Sequence, residues 1–136
     1  MDENEVPTLS RRDAIAAALA TGGLADITTR GRRTGQSRRI EIVFFNMGGR
    51  VYVSGLPGAR GWYANLLDDP RFTFHLKGPV TADLAAHARP IAEEAERRPL
   101  FTRITRQWRR ESELERFVAS SPLIEVAFLD TELLAT

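Results

Sequence analysis

Between Leu24 and Arg89 the chain reads as short alternating segments joined by brief turns, and this closeness is what most narrows its fold. Parallel strands need crossovers of a dozen or more residues, usually helical, so an open parallel nucleotide-binding sheet is excluded. Leu24 to Arg30 is expected as the first strand. Ile40, Ile42 and Phe44 then alternate with Arg39, Glu41, Val43 and Phe45, giving one plainly apolar face. Asn46-Met47-Gly48-Gly49 has hairpin-turn chemistry and leads into a strand from Arg50 to Ser54. Gly55 to Gly61 reads as a flexible loop, and Trp62 to Leu67 as a short helix ended before Pro70. Arg71 to Lys77 places Phe72, Phe74 and Leu76 on one face; after the Gly78-Pro79 turn, Val80, Ala82, Leu84, Ala86 and Ala88 line the next strand.

Helical spacing brackets this run. Ser10 is placed to cap a helix beginning at Arg11, with Ala14, Ile15, Ala18 and Leu19 on one face and Gly22-Gly23 as its stop. The pattern turns helical again from Ile91. Pro99 suits a first helical turn there, and Leu100, Phe101, Ile104 and Trp108 share the expected buried face. Glu113 to Ala119 predicts a last short helix, and Leu123 to Leu129 a closing strand. About six mainly antiparallel strands with helices packed outside predict an α+β domain built on a small barrel or curled sheet. One domain is expected over residues 10–136, behind a flexible, acidic tail at 1–9.

Charge is distributed unevenly. The net charge is +1, yet five of the ten residues from Arg30 to Arg39 are arginine. Further arginines gather at Arg97-Arg98 and at Arg103, Arg106, Arg109 and Arg110. Local clusters in a nearly neutral chain point to a defined anionic ligand rather than to nucleic acid. No apolar stretch approaches the roughly 20 residues that span a bilayer, so no integral membrane segment is expected. The absence of cysteine excludes disulfides and thiolate chemistry and fits a cytoplasmic protein. His75 and His87 are each solitary, in no metal-ligand spacing, and no metal site is expected. Neither a nucleophile elbow nor a Walker loop is present, so no catalytic side chain is assigned and an enzyme of this kind would draw its reactive atoms from a cofactor.

Two segments carry the chemistry. The glycine-punctuated arginine turn can offer backbone amides, the Thr34 hydroxyl and forks from Arg32, Arg33 or Arg38 to a phosphate or carboxylate. The same residues read equally well as a solvated hairpin tip. In Gly61 to Leu67, Trp62 and Leu66 read as a plug for one end of the barrel, whereas Tyr63 and Asn65 have polar groups to present to a ligand.

Taken together, Thr-x-Gly-Arg-x-Thr-Gly-Gln-x-Arg from Thr29 to Arg38, the Gly48-Gly49-Arg50 turn, Trp62-Tyr63-x-Asn65-Leu66 and Asp69-Pro70 resemble the deazaflavin-dependent nitroreductase family. That resemblance implies a split β-barrel of the FMN-binding, pyridoxamine-phosphate-oxidase-like kind. It also implies coenzyme F-420 as cofactor, with hydride transfer from the reduced deazaflavin to a small conjugated acceptor of quinone, nitroaromatic or enone type. Carried across by motif, Gly31, Arg32, Arg33 and Thr34 would hold the coenzyme phosphate, and Arg38 would add charge-assisted bonds. The strand that follows, with Arg39, Ile40 and Val43, would flank the deazaflavin. Gly61 to Asn65, including Trp62, Tyr63 and Asn65, would cover it, and Ser54 and Gly55 complete the expected cofactor-binding set. FMN on the same barrel and a non-catalytic coenzyme-binding protein are the alternatives, and a homodimer is the expected assembly.

Overall fold

The computed structural model describes residues 10–129. The expected tail at 1–9 and the last residues, 130–136, lie outside the described part. Helix α1 (Arg11–Thr21) starts where Ser10 Oγ accepts the Asp13 N–H at 3.1 Å, which satisfies one of the orphan donors of a first turn. It stops at Gly22, whose φ of 75° suits glycine and where a Cβ would come 3.2 Å from the Phe44 carbonyl oxygen. The chain continues through β1 (Gly23–Arg30), β2 (Ser37–Met47), β3 (Arg50–Ser54), α2 (Gly61–Asp68), β4 (Arg71–Leu76) and β5 (Ala82–Pro90). Then come α3 (Glu94–Gln107), a single 3-10 turn, α4 (Leu114–Ser120) and β6 (Leu123–Phe128). No helix among the described residues is long and apolar enough to cross a membrane.

The six strands close into a barrel in the order β1-β2-β3-β6-β5-β4, with β4 returning to β1, and every pairing is antiparallel. Alternation then sorts the side chains. Ile27, Ile42, Phe44, Val53, Phe74 and Phe128 point inward and are buried together. Phe74 meets Phe44 and Phe128 edge-on at centroid distances of 5.2 and 5.4 Å, the arrangement that ring quadrupoles favour. Truncating Phe74 to alanine would cost about 3–5 kcal/mol. The two ends of the barrel are stoppered by helices. Ile15 and Leu19 of α1, and Trp62 and Leu66 of α2, belong to the same core.

A second core lies outside the barrel wall. Phe45, Met47 and Tyr52 project outward from β2 and β3 and pack against Phe101, Ile104 and Phe117 of the α3–α4 pair. Strand β2 therefore buries both faces near its end, which is why Val43 and Phe45 are apolar although they oppose the inward row. Arg97 ties this layer together. It is only 7% exposed, and its guanidinium donates to the carbonyls of Ile91, Phe117, Val118 and Ser121 at 2.6–3.3 Å. It also stacks over the Phe101 ring at 5.1 Å. Its acceptors include the Val118 carbonyl in the last turn of α4, where carbonyls have no partner within their own helix. Burial draws the Arg97 pKa downward.

Two expectations need correction. Pro99 is not in a first helical turn but is the sixth residue of α3, because the acidic residues Glu94 and Glu96 start the helix earlier, at its positive end. The ladder bond that proline cannot make falls on the exposed side, where the Ala95 carbonyl can meet water. Strand β5 begins at Ala82 rather than Val80, since Gly78 at φ 108° and Pro79 keep the chain in its turn for longer.

Candidate functional site

Residues 31–36 join β1 to β2. The Gly31 N–H donates to the Gln36 carbonyl and the Gly35 N–H to the Gly31 carbonyl, both at 2.8 Å. Thr34 Oγ1 accepts the Gln36 N–H at 3.2 Å, a hydroxyl-stabilised turn. Two glycines make this path possible. A Cβ on Gly31 would sit 3.0 Å from Thr34 Oγ1 and 3.1 Å from the Gln36 carbonyl oxygen, and Gly35 has φ 74°.

Helix α2 lies across the turn and holds it through Asn65, which is only 5% exposed. Asn65 Oδ1 accepts from the Arg32 backbone N–H at 3.2 Å and from Arg32 Nη1 at 2.8 Å, while Nδ2 donates to Thr29 Oγ1 at 3.1 Å. One amide thus fixes both the backbone and the guanidinium of Arg32 relative to the strand end. Trp62 and Leu66, the neighbours of Asn65 on α2, are anchored in the barrel core, so the positioning is inherited from the core.

Between turn, helix and strand lies a cavity of about 480 Å³. Gly31, Arg32, Arg33 and Thr34 form one side and Arg38 and Ile40 another, with Gly61, Trp62 and Asn65 of α2 opposite. No carboxylate lines it. The Arg33 and Arg38 side chains make no ion pair or hydrogen bond with any described residue, in contrast to the arginines just outside. Arg39 binds Asp26 at 3.0 Å and Arg30 stands 4.0 Å from Asp69. Hydrogen bonding by Arg71 holds the Asp69 carboxyl down at about 2, so it is anionic at neutral pH and its charge is spent on Arg71 and Arg30. A concave site with three guanidiniums, a hydroxyl and no acid has the charge and donors to receive an anion.

The structure brings together eight of the thirteen residues expected for the cofactor: Gly31, Arg32, Arg33, Thr34, Arg38, Ile40, Trp62 and Asn65. The other five lie elsewhere. Arg39 points to the outer wall and its partner Asp26. Val43 packs under the α3–α4 layer. Ser54 is buried, and its Oγ donates to the Pro122 carbonyl at 2.7 Å. A Cβ on Gly55 would lie 3.7 Å from the Pro122 ring. Tyr63 lines a separate cavity on the other side of α2, because adjacent helical residues project about 100° apart. Thr29 is the addition, since it lines the cavity and supplies the Asn65 acceptor. Its signal in the sequence was its inward register, two residues on from Ile27.

Comparison with known proteins bears on the fold and on the family. Solved structures of similar fold include a candidate pyridoxamine 5'-phosphate oxidase from Listeria innocua, 14% identical, covering 89% of this chain and 95% of that one at a TM-score of 0.65. A conserved hypothetical protein from Mycobacterium tuberculosis is 15% identical, with 95% and 81% of the two chains covered and a TM-score of 0.66. A Clostridium acetobutylicum protein related to general stress protein 26, of the pyridoxinephosphate oxidase family, is 8% identical over 88% and 86% of the chains at 0.64. These likenesses establish the split-barrel fold that the sequence predicted. The family model of the F420H(2)-dependent quinone reductases matches residues 6–118, a span that holds both the arginine turn and the Asn65 helix. The chain belongs to the F420H(2)-dependent quinone reductase family.

Proposed function

We propose that this protein is a coenzyme F-420-dependent oxidoreductase that reduces a small conjugated acceptor, with quinones as the leading class. The observation that carries this reading is the acid-free cavity under Asn65, where Arg33 and Arg38 have no counter-charge among the described residues. A phosphate matches that donor set in charge and in the number of hydrogen bonds it accepts. Arg33, Arg38 and the Thr34 hydroxyl would hold the coenzyme phosphate, while Asn65 keeps Arg32 in place beside it. Ile40 and Trp62 offer apolar walls to the adjoining part of the coenzyme. When bound, reduced F-420 supplies a hydride and a proton, which together convert a quinone to its hydroquinone. The protein's own share is to position the partners and exclude water. No side-chain acid or base is assigned.

Titration with oxidised F-420, followed by its absorbance or fluorescence, tests the reading. Saturable binding is expected, and its absence at tens of micromolar, a generous threshold for a cofactor, overturns it. FMN titrated in parallel separates the two tricyclic cofactors, and tight F-420 binding without turnover of any acceptor would mark a coenzyme-binding protein instead. The expected setting is a cytoplasmic homodimer, and sedimentation equilibrium checks the assembly.

A further inference from the structure

We propose that a small cavity between the end of β2 and the C-terminal half of α3 is a second anion site, distinct from the arginine cavity, and takes the phosphate group of a small molecule. Asn46 and Met47 of β2 form one wall, and Arg103, Arg106 and Gln107 of α3 the other, around about 250 Å³. The arginine cavity touches the same strand at Arg38 and Ile40. Asn46 is eight residues further along β2 than Arg38, roughly 26 Å at the usual strand rise. It faces α1, where its Nδ2 donates to the Leu19 carbonyl, whereas the arginine cavity lies under α2. The two spaces are therefore at opposite ends of the barrel. The inference stands apart from the function proposed above, because nothing in it involves F-420 or its acceptor.

Charge balance singles this place out. Elsewhere in the α3–α4 layer, Arg97 is bonded to carbonyls, Arg98 is paired with Glu94 and Glu115, and Arg110 and Arg116 are paired with Glu113. The Arg103 and Arg106 side chains have no partner among the described residues, and no carboxylate lines the space between them and β2. Both are exposed, so a small ligand reaches them from solvent. Three residues apart, they are like-charged neighbours on one helix face, which weakens a helix; an anion between them reverses the sign of that interaction. Gln107 lies on the same face, one turn beyond Arg103, and its amide is also without a described partner. The opposite wall is held still. Asn46 Nδ2 donates to the Leu19 carbonyl at 3.1 Å and Oδ1 accepts the Gly49 N–H at 3.2 Å, which leaves its second amide hydrogen for a ligand. Two guanidiniums and two carboxamides offer more donors than the two oxygens of a carboxylate engage, and the three terminal oxygens of a phosphate ester match them better. The volume is about half that of the arginine cavity, which suits a phosphate with a few attached atoms and not a tricyclic coenzyme.

The test titrates inorganic phosphate into the full-length, isotopically labelled protein at constant ionic strength and reads amide resonances residue by residue. The Gln107 and Asn46 side-chain amides should shift saturably, at concentrations where acetate moves them little. Arg103→Gln and Arg106→Gln should each weaken that response about tenfold, the lower end of the range for a hydrogen bond to a charged group. The double variant should abolish it, with thermal midpoint and F-420 Kd unchanged. Arg33→Gln, which removes a donor from the other cavity, should leave the Gln107 and Asn46 response intact, and so should saturating F-420. A drift that never saturates up to tens of millimolar marks an adventitious ion only and overturns the inference. So does a response that survives in the double variant, or equal binding of acetate. Displacement of phosphate from these amides by F-420 overturns it too, by giving the cavity to the coenzyme. Binding of phosphatidylglycerol vesicles through the same arginines, with no saturation by phosphate, overturns it in favour of a membrane-facing surface.

Discussion

Two arginine-rich regions look alike on paper and differ in the folded protein. On β5 and in the N-terminal half of α3 every arginine is spent, whereas Arg103 and Arg106 further along α3 have no side-chain partner among the described residues. Arg89 is clasped by Glu96 and Glu125, Arg98 by Glu94 and Glu115, and Arg97 by four carbonyls. In the β1–β2 turn, Arg33 and Arg38 have no such partner among the described residues and share a concave space with Arg32. The first region uses guanidinium groups as structural cross-links; the second holds its charge in reserve. What separates them is the local count of acceptors, and that count is a property of the fold. Substitutions in the two regions should therefore fail in different ways.

The largest effect is expected at Arg97. Arg97→Met leaves four buried carbonyl contacts unmade, and should lower unfolding free energy by about 3 kcal/mol or more, as measured by urea denaturation. F-420 affinity of the folded protein should be unchanged; a variant of normal stability would erase the contrast between the regions. Arg33→Ala and Arg38→Ala should do the reverse. Each is expected to weaken F-420 binding by about 1.5–3 kcal/mol, the range for hydrogen bonds to charged groups, with the thermal midpoint left in place. Normal binding by both variants would remove the anion site. Asn65→Ala belongs to both regimes, because the residue is a buried link that also sets Arg32. It should cost about 1–2 kcal/mol of stability and weaken coenzyme binding as well, and loss of only one property would show which role dominates.

The smallest effect concerns acid. Hydrogen bonding from Arg71 lowers the Asp69 carboxyl from 3.8 to about 2. A carboxyl depressed by folding stabilises the native state above its unfolded pKa, and that support is lost as pH falls through the folded value. Asp69→Asn should therefore be slightly less stable than wild type at pH 6, and the gap should close between about pH 4 and pH 2. Chemical denaturation across that range reads the difference, and a gap that widened in acid would refute the assignment.

Much of the fold was legible because its signals are local. Strand alternation, the Gly48-Gly49 turn and the Ser10 cap each act over a few residues, and the structure places β3 at the expected Arg50–Ser54. The role of Trp62 and Leu66 as a plug was also legible, from helical spacing alone. What could not be read depends on long-range partners. Val43 and Phe45 are apolar because α3 and α4 return to cover them, about sixty residues later. Ser54 carries a donor that looked available for a ligand, but its acceptor is Pro122, on the approach to β6. Tyr63 shares a motif with Trp62, yet the helix turns it into a different cavity. At the site, the sequence singled out the arginines as a group but had no means of telling the paired Arg39 from the unpaired Arg38.

The barrel closure has a mechanical consequence. Strand β1 is paired with β2 at eight positions but with β4 at only three, Asp26↔His75, Ile27↔Phe74 and Thr28↔Thr73. That short seam is reinforced from outside by a chain of side chains: Thr28 Oγ1 and His75 Nε2 are 2.7 Å apart, as are His75 Nδ1 and Asp83 Oδ1. The imidazole thus works as a rivet across β1, β4 and β5. A cylinder with one lightly stitched line has a preferred place to open, so transient breathing of this protein should begin along the β1–β4 line. Breathing there carries Thr29 with it, and through Thr29 the Asn65 clamp on the arginine turn.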